Sequence, residues 1–169
     1  MQTTLKRSWA GLAAAAVLAA CSQAAVNASA QEPLADTACA LDGMVLKDFP
    51  GPKAQIHYTE GKADFYCDLM ELFAATLAPE HRRQVAAIYV QDMGKTAWSK
   101  PEGHWIAAKG ALFVVGSRKQ GSMGPTFGAF SRAEDAAAFA KQEGGKVLRF
   151  DQVTLAMLDT GGTTNDMRH

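Results

Sequence analysis

The residues best suited to chemistry in this chain fall in one stretch, Cys39-Ala40-Leu41-Asp42-Gly43-Met44, with Gly51-Pro52-Lys53-Ala54-Gln55-Ile56-His57 close behind. The first places a thiol and a thioether on one short segment. Both are soft, polarisable donors, which among first-row metals favour Cu(I), whereas Mg, Ca and Mn prefer oxygen. A lone Cys is also among the most buried residue types and Met is a common gap-filler, so the pair by itself suits packing as well as ligation. The setting favours a site, because Asp42, Gly43, Gly51 and Pro52 are turn formers and loops carry functional groups more often than cores do.

Other donors extend the candidate set. Cys67 stands just ahead of an expected helix, whose dipole would favour its thiolate. Met93 in Asp92-Met93-Gly94 lies just past a strand end, and Met123 in Ser122-Met123-Gly124 on a long loop; each could swing a thioether toward a metal. His57 follows Ile56 on a strand and faces the opposite side, within reach of the Cys39 loop. Met70 has helical spacing with Phe73 and Leu77 and reads as core, and His81 beside Arg82 and Arg83 as a solvated loop residue. A structural zinc site would want four Cys or His ligands in close pairs, and hydrolysis through a nucleophile elbow would want Gly-x-Ser-x-Gly. Neither pattern is present.

The elements that must position these groups follow a leader. Lys6-Arg7, then the apolar run 9–20, has the layout of a secretory signal and is too short to read as a spanning helix. It ends in Leu18-Ala19-Ala20-Cys21, which resembles the lipobox of bacterial lipoproteins, whose cleaved chain begins at a lipid-bearing Cys. Residues 1–20 are therefore read as signal peptide and 21–38 as a lipidated flexible leash. Of 17 basic and 17 acidic residues, loss of Lys6 and Arg7 leaves a slight acidic bias, without the basic footprint of a nucleic-acid binder. Two cysteines, Cys39 and Cys67, remain in an oxidising compartment, as a bridge or as a functional pair.

Beyond the leash one pattern occurs twice. Residues 54–58 and 63–66 read as strands around Gly61, Asp68 with Glu71 as an N-cap and reaching carboxylate, and Leu69, Leu72, Phe73 and Leu77 as a helical stripe ending before Pro79. Residues 85–90 make a continuous apolar strand. In the second half come a strand at 111–115, a Gly-rich loop at 116–126 and a short strand at 127–130. Ser131 with Glu134 reads as a capping box for a helix over 133–143 closed by Gly144-Gly145, and a last strand follows at 147–150. The expected fold is α+β: a first ββαβ module over 39–90 with the metal loop, a linker over 91–104, a second ββαβ module over 105–159 and a disordered tail over 160–169.

In order, Cys39-Ala40-Leu41-Asp42-Gly43-Met44, Gly51 to His57, Phe65-Tyr66-Cys67-Asp68, Val90-Gln91-Asp92-Met93-Gly94-Lys95, Gly116-Ser117-Arg118 and Gly121-Ser122-Met123-Gly124 together resemble the NosL family of nitrous oxide reductase accessory lipoproteins. The resemblance implies two ββαβ modules in a fold related to organomercurial lyase. It also implies Cu(I) as bound metal and a non-enzymatic role as chaperone for the reductase's copper-sulfide centre. The implied partners are the reductase and the ABC-transporter and periplasmic components of its assembly. Many members carry Cys-X-Met before Gly-Pro-Lys. Here Asp42-Gly43-Met44 occupies that spacing and Cys39 is displaced, and Cys67 stands where many members have Ser, so Met44 carries over directly and the thiol ligand is either Cys39 or Cys67.

Two other classes stay open on the residues alone: a thiol enzyme acting on a metal–carbon or disulfide bond through Cys39, Cys67 and Asp68, and a lipoprotein in which Cys39 and Cys67 form a structural disulfide. Because Ser22 follows Cys21, the resemblance to sorted lipoproteins points to the outer membrane, facing the periplasm. Cell fractionation of a Cys21→Ser variant is expected to move the protein out of the membrane fraction; full recovery there would refute the anchor.

Overall fold

A computed structural model describes residues 29–78 and 83–159. The signal segment, residues 21–28 of the leash with Cys21, His81 and the tail lie outside the described residues.

The first module runs β1 (Ala54–Tyr58), β2 (Asp64–Tyr66), α1 (Leu69–Leu77) and β3 (Val85–Gln91). β1 is central, antiparallel to β2 on one side and to β3 on the other. The second runs β5 (Leu112–Val115), β6 (Gly128–Phe130), α2 (Ala133–Glu143) and β7 (Lys146–Arg149), and β5 again lies between its two antiparallel partners. The two ββαβ units thus share one strand order, and Tyr66 and Phe130 end equivalent strands three residues before equivalent helices. The α+β class and the doubled ββαβ order are as expected.

Three details differ. β4 (Trp105–Ala107), expected to open the second module, pairs with β3 and completes a four-stranded first sheet, because the 91–104 segment folds back instead of crossing to the second sheet. Ser131 does not cap α2. Arg132 is the N-cap, without a side-chain cap bond, and the Ser131 hydroxyl donates to the buried Asp92 carboxylate, which also accepts from the Ser131 and Gly94 amides. Tertiary demand for a partner to Asp92 outweighs the local cap. A short 3₁₀ turn (Phe150–Gln152) and α3 (Ala156–Asp159) follow β7, unannounced by any periodicity.

Helix α1 forms where its signals predicted. The Asp68 carboxylate accepts from the Glu71 amide at 3.2 Å, and Leu69, Leu72 and Phe73 are fully buried. α2 ends at Gly144, whose amide donates to the Ala140 carbonyl; at the next residue, Gly145, φ is 98° and a Cβ would come within 2.6 Å of the Val115 carbonyl oxygen, so only glycine fits.

The two modules share one main core, beside a smaller cluster of Val114, Phe130 and Ala136 in the second. Phe73 of α1 stands 5.1 Å from Phe113 of β5, edge-on, with Phe127 at 5.7 Å and Phe150 at 5.1 Å. One helix residue therefore bridges the first module to three aromatic rings of the second. Chemical denaturation is expected to show Phe73→Ala losing about 3–5 kcal/mol in one cooperative transition; two separated transitions would mean that the modules fold independently.

Candidate metal centre

The loop carrying Cys39 is a closed turn. Its amide donates to the Met44 carbonyl at 2.8 Å, the Gly43 amide returns to the Cys39 carbonyl, and Ala38 pairs with Val45. The Ala40 amide donates to the Phe65 carbonyl at 2.7 Å, docking the turn on β2, while fully buried Leu46 anchors its exit. Cys39 is consequently buried, at 4% exposure, and not displayed on an open loop; residues 40–43 remain exposed.

Cys67, fully buried, occupies the junction between β2 and α1, and the two thiols meet there. Cys39 Sγ, Cys67 Sγ and an Asp42 carboxylate oxygen all lie within 4.8 Å of one another, and the two thiols are hydrogen-bonded and unbridged. Cys67 Sγ also stands 3.6 Å from the Met44 carbonyl oxygen. The open choice between Cys39 and Cys67 thus meets a structure in which both sulfurs belong to one cluster.

Glu71 lies beneath the pair. Its Oε2 is 2.8 Å from Cys39 Sγ and accepts from the Cys67 amide at 3.0 Å, one residue ahead of the cap position expected for it. Among the described residues its Oε1 is buried without a hydrogen-bond partner. Lys53 joins the cluster through the Cys67 carbonyl. This ammonium, at 3% exposure, donates to the carbonyls of Phe49 (2.8 Å), Pro50 (3.1 Å) and Cys67 (2.9 Å).

Proton affinities follow from these contacts. Hydrogen bonding from Cys67, then from Glu71, outweighs burial and lowers Cys39 to about 5. Burial and the sharing of a proton with Cys39 push Glu71 up to about 8. Cys67 is driven upward by its bond to Cys39 and by burial, the reverse of the helix-dipole expectation. The dipole contributes a fraction of a charge at one helix end, whereas a neighbouring thiolate contributes a whole one at contact distance. Burial lowers Lys53 to about 8, opposed by the surrounding anionic groups. Near neutral pH the cluster therefore holds a thiolate on Cys39, a thiol on Cys67, a protonated Glu71 and an ammonium on Lys53.

The remaining candidates separate. Met44 packs its side chain on the core while its backbone touches both cysteines. Met123 is 75% exposed, on a loop tied to the same helix end: the Ser122 hydroxyl and amide donate to the Asp68 carboxylate at 2.8 and 3.2 Å, and a Cβ on Gly121 would meet that carboxylate at 2.9 Å. Met93 packs against the Val114, Phe130 and Ala136 cluster of the second module. His57 is buried with Nε2 2.6 Å from Gln55 Oε1 and its ring edge-on to Tyr89, so the structure does not bring it to the sulfurs.

Sequence reasoning overlooked Asp42, Lys53 and Glu71 as members of the site. Their signals were present but ambiguous: Asp42 read as a turn former, Lys53 as part of a Gly-Pro-Lys turn and Glu71 as a capping residue. An acid three residues into a helix led by Cys is as compatible with capping as with contact to sulfur.

Two thiols and a carboxylate at this spacing suit a soft, low-coordinate cation, and the four-ligand set of structural zinc is absent among the described residues. Comparison with known proteins agrees with the fold. The copper-binding lipoprotein NosL of Stutzerimonas stutzeri is 42% identical over 121 residues, 71% of this chain, and the match spans 63% of that protein's own length. The copper-binding lipoprotein NosL of Achromobacter cycloclastes is 39% identical over 154 residues, covering 88% of this chain and 80% of its own. The crystal structure of the copper chaperone NosL from Shewanella denitrificans superposes with a TM-score of 0.72 at 44% identity, over 76% of this chain and 97% of that one. With a NosL family model matching residues 30–158 as well, the chain belongs to the NosL family.

Proposed function

We propose that this chain is a periplasmic, lipid-anchored Cu(I) metallochaperone that supplies copper for the copper-sulfide centre of nitrous oxide reductase, handing it to the reductase or to the membrane and periplasmic components of its assembly. The observation that carries the reading is the meeting of Cys39 and Cys67 at the head of α1. Relatives named as copper-binding lipoproteins and a copper chaperone support it.

The geometry answers the two opposed needs of a carrier. Cu(I) must be kept from water and oxidants, and both sulfurs are buried. It must also leave by ligand exchange, which asks for few protein ligands and an accessible side. Cys39 enters from a turn whose residues 40–43 are exposed, and Met123 is exposed on a loop held to Asp68 beside Cys67. In this reading the sulfurs of Cys39 and Cys67 supply most of the affinity. Met44 or Met123 supplies a weaker, exchangeable thioether. Met93 and His57 play no direct part. In this reading the protein is a carrier of copper and not an enzyme, and its membrane attachment is the lipid on Cys21.

Cu(I) competition against a chromophoric chelator under reducing conditions tests the assignment. Cys39→Ser and Cys67→Ser are each expected to abolish tight binding. Met44→Leu, close in volume and nearly neutral for the fold, is expected to weaken it mildly. Tight Zn(II) binding, with Cu(I) held no better than by the double Ser variant, would refute the copper reading.

Protonation gives a second test. Cys39 is lowered to about 5 and is already a thiolate at neutral pH, whereas Cys67 is raised and must lose its proton when the metal binds. Ultraviolet thiolate absorbance of the metal-free protein should appear with a midpoint near 5. Loading at neutral pH should release one proton per copper, so affinity rises with pH; pH-independent loading would contradict the two-sulfur site.

A further inference from the structure

Cys39 and Cys67 differ in a way that ligation does not require. Cys67 is fixed, with its amide on Glu71 and its carbonyl on Lys53, just ahead of the α1 N-cap. Cys39 rides on a turn whose outer residues are exposed, and around Gly43 the space that a Cβ would occupy is empty to 4 Å. The sulfurs lie no more than 4.8 Å apart, so shortening that gap to a disulfide bond asks for a displacement of at most about 3 Å. The turn has room for such a shift while the helix stays in place. Burial of both sulfurs excludes bulky partners and leaves each the other's nearest thiol.

We propose that Cys39 and Cys67 form a site of reversible oxidation, closing to a disulfide that shuts the copper site. The gating half of this rests on the copper reading; the modification itself does not. The oxidant is a small peroxide. The Cys39 sulfur attacks one peroxide oxygen, the O–O bond breaks, hydroxide departs and Cys39 becomes a sulfenic acid. Cys67 then attacks that sulfur and expels its hydroxyl, which leaves as water with the Cys67 proton. In sum the Cys39 thiolate, the Cys67 thiol and hydrogen peroxide give one S–S bond, one water and one hydroxide, which takes up a proton from solvent; the sulfur pair loses the two electrons that the peroxide gains. An external dithiol reverses it by exchange. Closure removes both soft donors at once, because a disulfide presents no thiolate to a metal.

The test treats the purified chain with hydrogen peroxide, blocks remaining thiols, maps peptides by mass spectrometry and measures Cu(I) retention against the competing chelator before and after dithiothreitol. The expected result is a crosslinked peptide joining Cys39 to Cys67, loss of copper retention, and recovery of both open thiols and copper on reduction. Cys67→Ser, having no second thiol, is expected to carry Cys39 on to the sulfinic level, which dithiothreitol does not reverse. Failure to find the Cys39–Cys67 peptide in the wild-type chain, or undiminished copper retention by the crosslinked chain, would overturn the proposal. A reduced chain that holds no Cu(I) would overturn the copper reading instead, with the peptide map still deciding the modification.

Discussion

Charge buried at the head of α1 must be answered within a few ångströms or the helix cannot pack there. Glu71, Cys39 and Cys67 are all withdrawn from water, and each isolated ionised group would cost several kcal/mol. The cluster meets this by sharing protons between sulfur and carboxylate and by drawing in the Lys53 ammonium, which also satisfies three carbonyls. Much of the surrounding structure follows from that arrangement. The turn at 39–44 closes so that Cys39 can reach Glu71, and the Phe49-Pro50 segment bends so that its carbonyls face Lys53.

The doubled ββαβ order shows how one scaffold serves two ends. At the equivalent junctions before α1 and α2 stand Cys67 and Ser131. Ser131 is consumed in stabilising buried Asp92, a purely internal hydrogen bond. Cys67 faces another sulfur. The second module nevertheless contributes to the centre, since its 116–126 loop is pinned on the Asp68 carboxylate through Ser122 and the shared aromatic core around Phe73 holds the two units in register. A site at the seam of two packed modules is buried by their contact and still bordered by loops from both.

Under the proposed carrier role, that placement also reconciles retention with release. Low-coordinate sulfur ligation suits a soft cation; the exposed tip at Leu41 lies on the Cys39 turn, and exposed Met123 follows Ser122, which is bonded to Asp68 next to Cys67. Buried donors with an exposed margin are what exchange between two proteins requires, because the incoming donor must arrive before the outgoing one departs.

Local chemistry determined much by itself. Strand and helix periods, the Asp68 cap and the Gly144-Gly145 stop placed β1, α1, β3 and α2 within a residue or so of where they stand, because those signals act over a few neighbouring residues. Cys39, Met44, Cys67 and Met123 were legible as soft donors from residue type alone. Only the tertiary structure decided which of them meet. Cys39 and Glu71 are far apart along the chain yet 2.8 Å apart in space, and no local pattern reports that contact. The same holds for Lys53 beneath Cys67, for β4 joining the first sheet, for Ser131 leaving its cap to serve Asp92, and for His57 being taken by Gln55. In each case a buried polar group or an unpaired strand edge took its partner from a distant segment, because burial makes an unmet hydrogen bond more costly than a lost local preference.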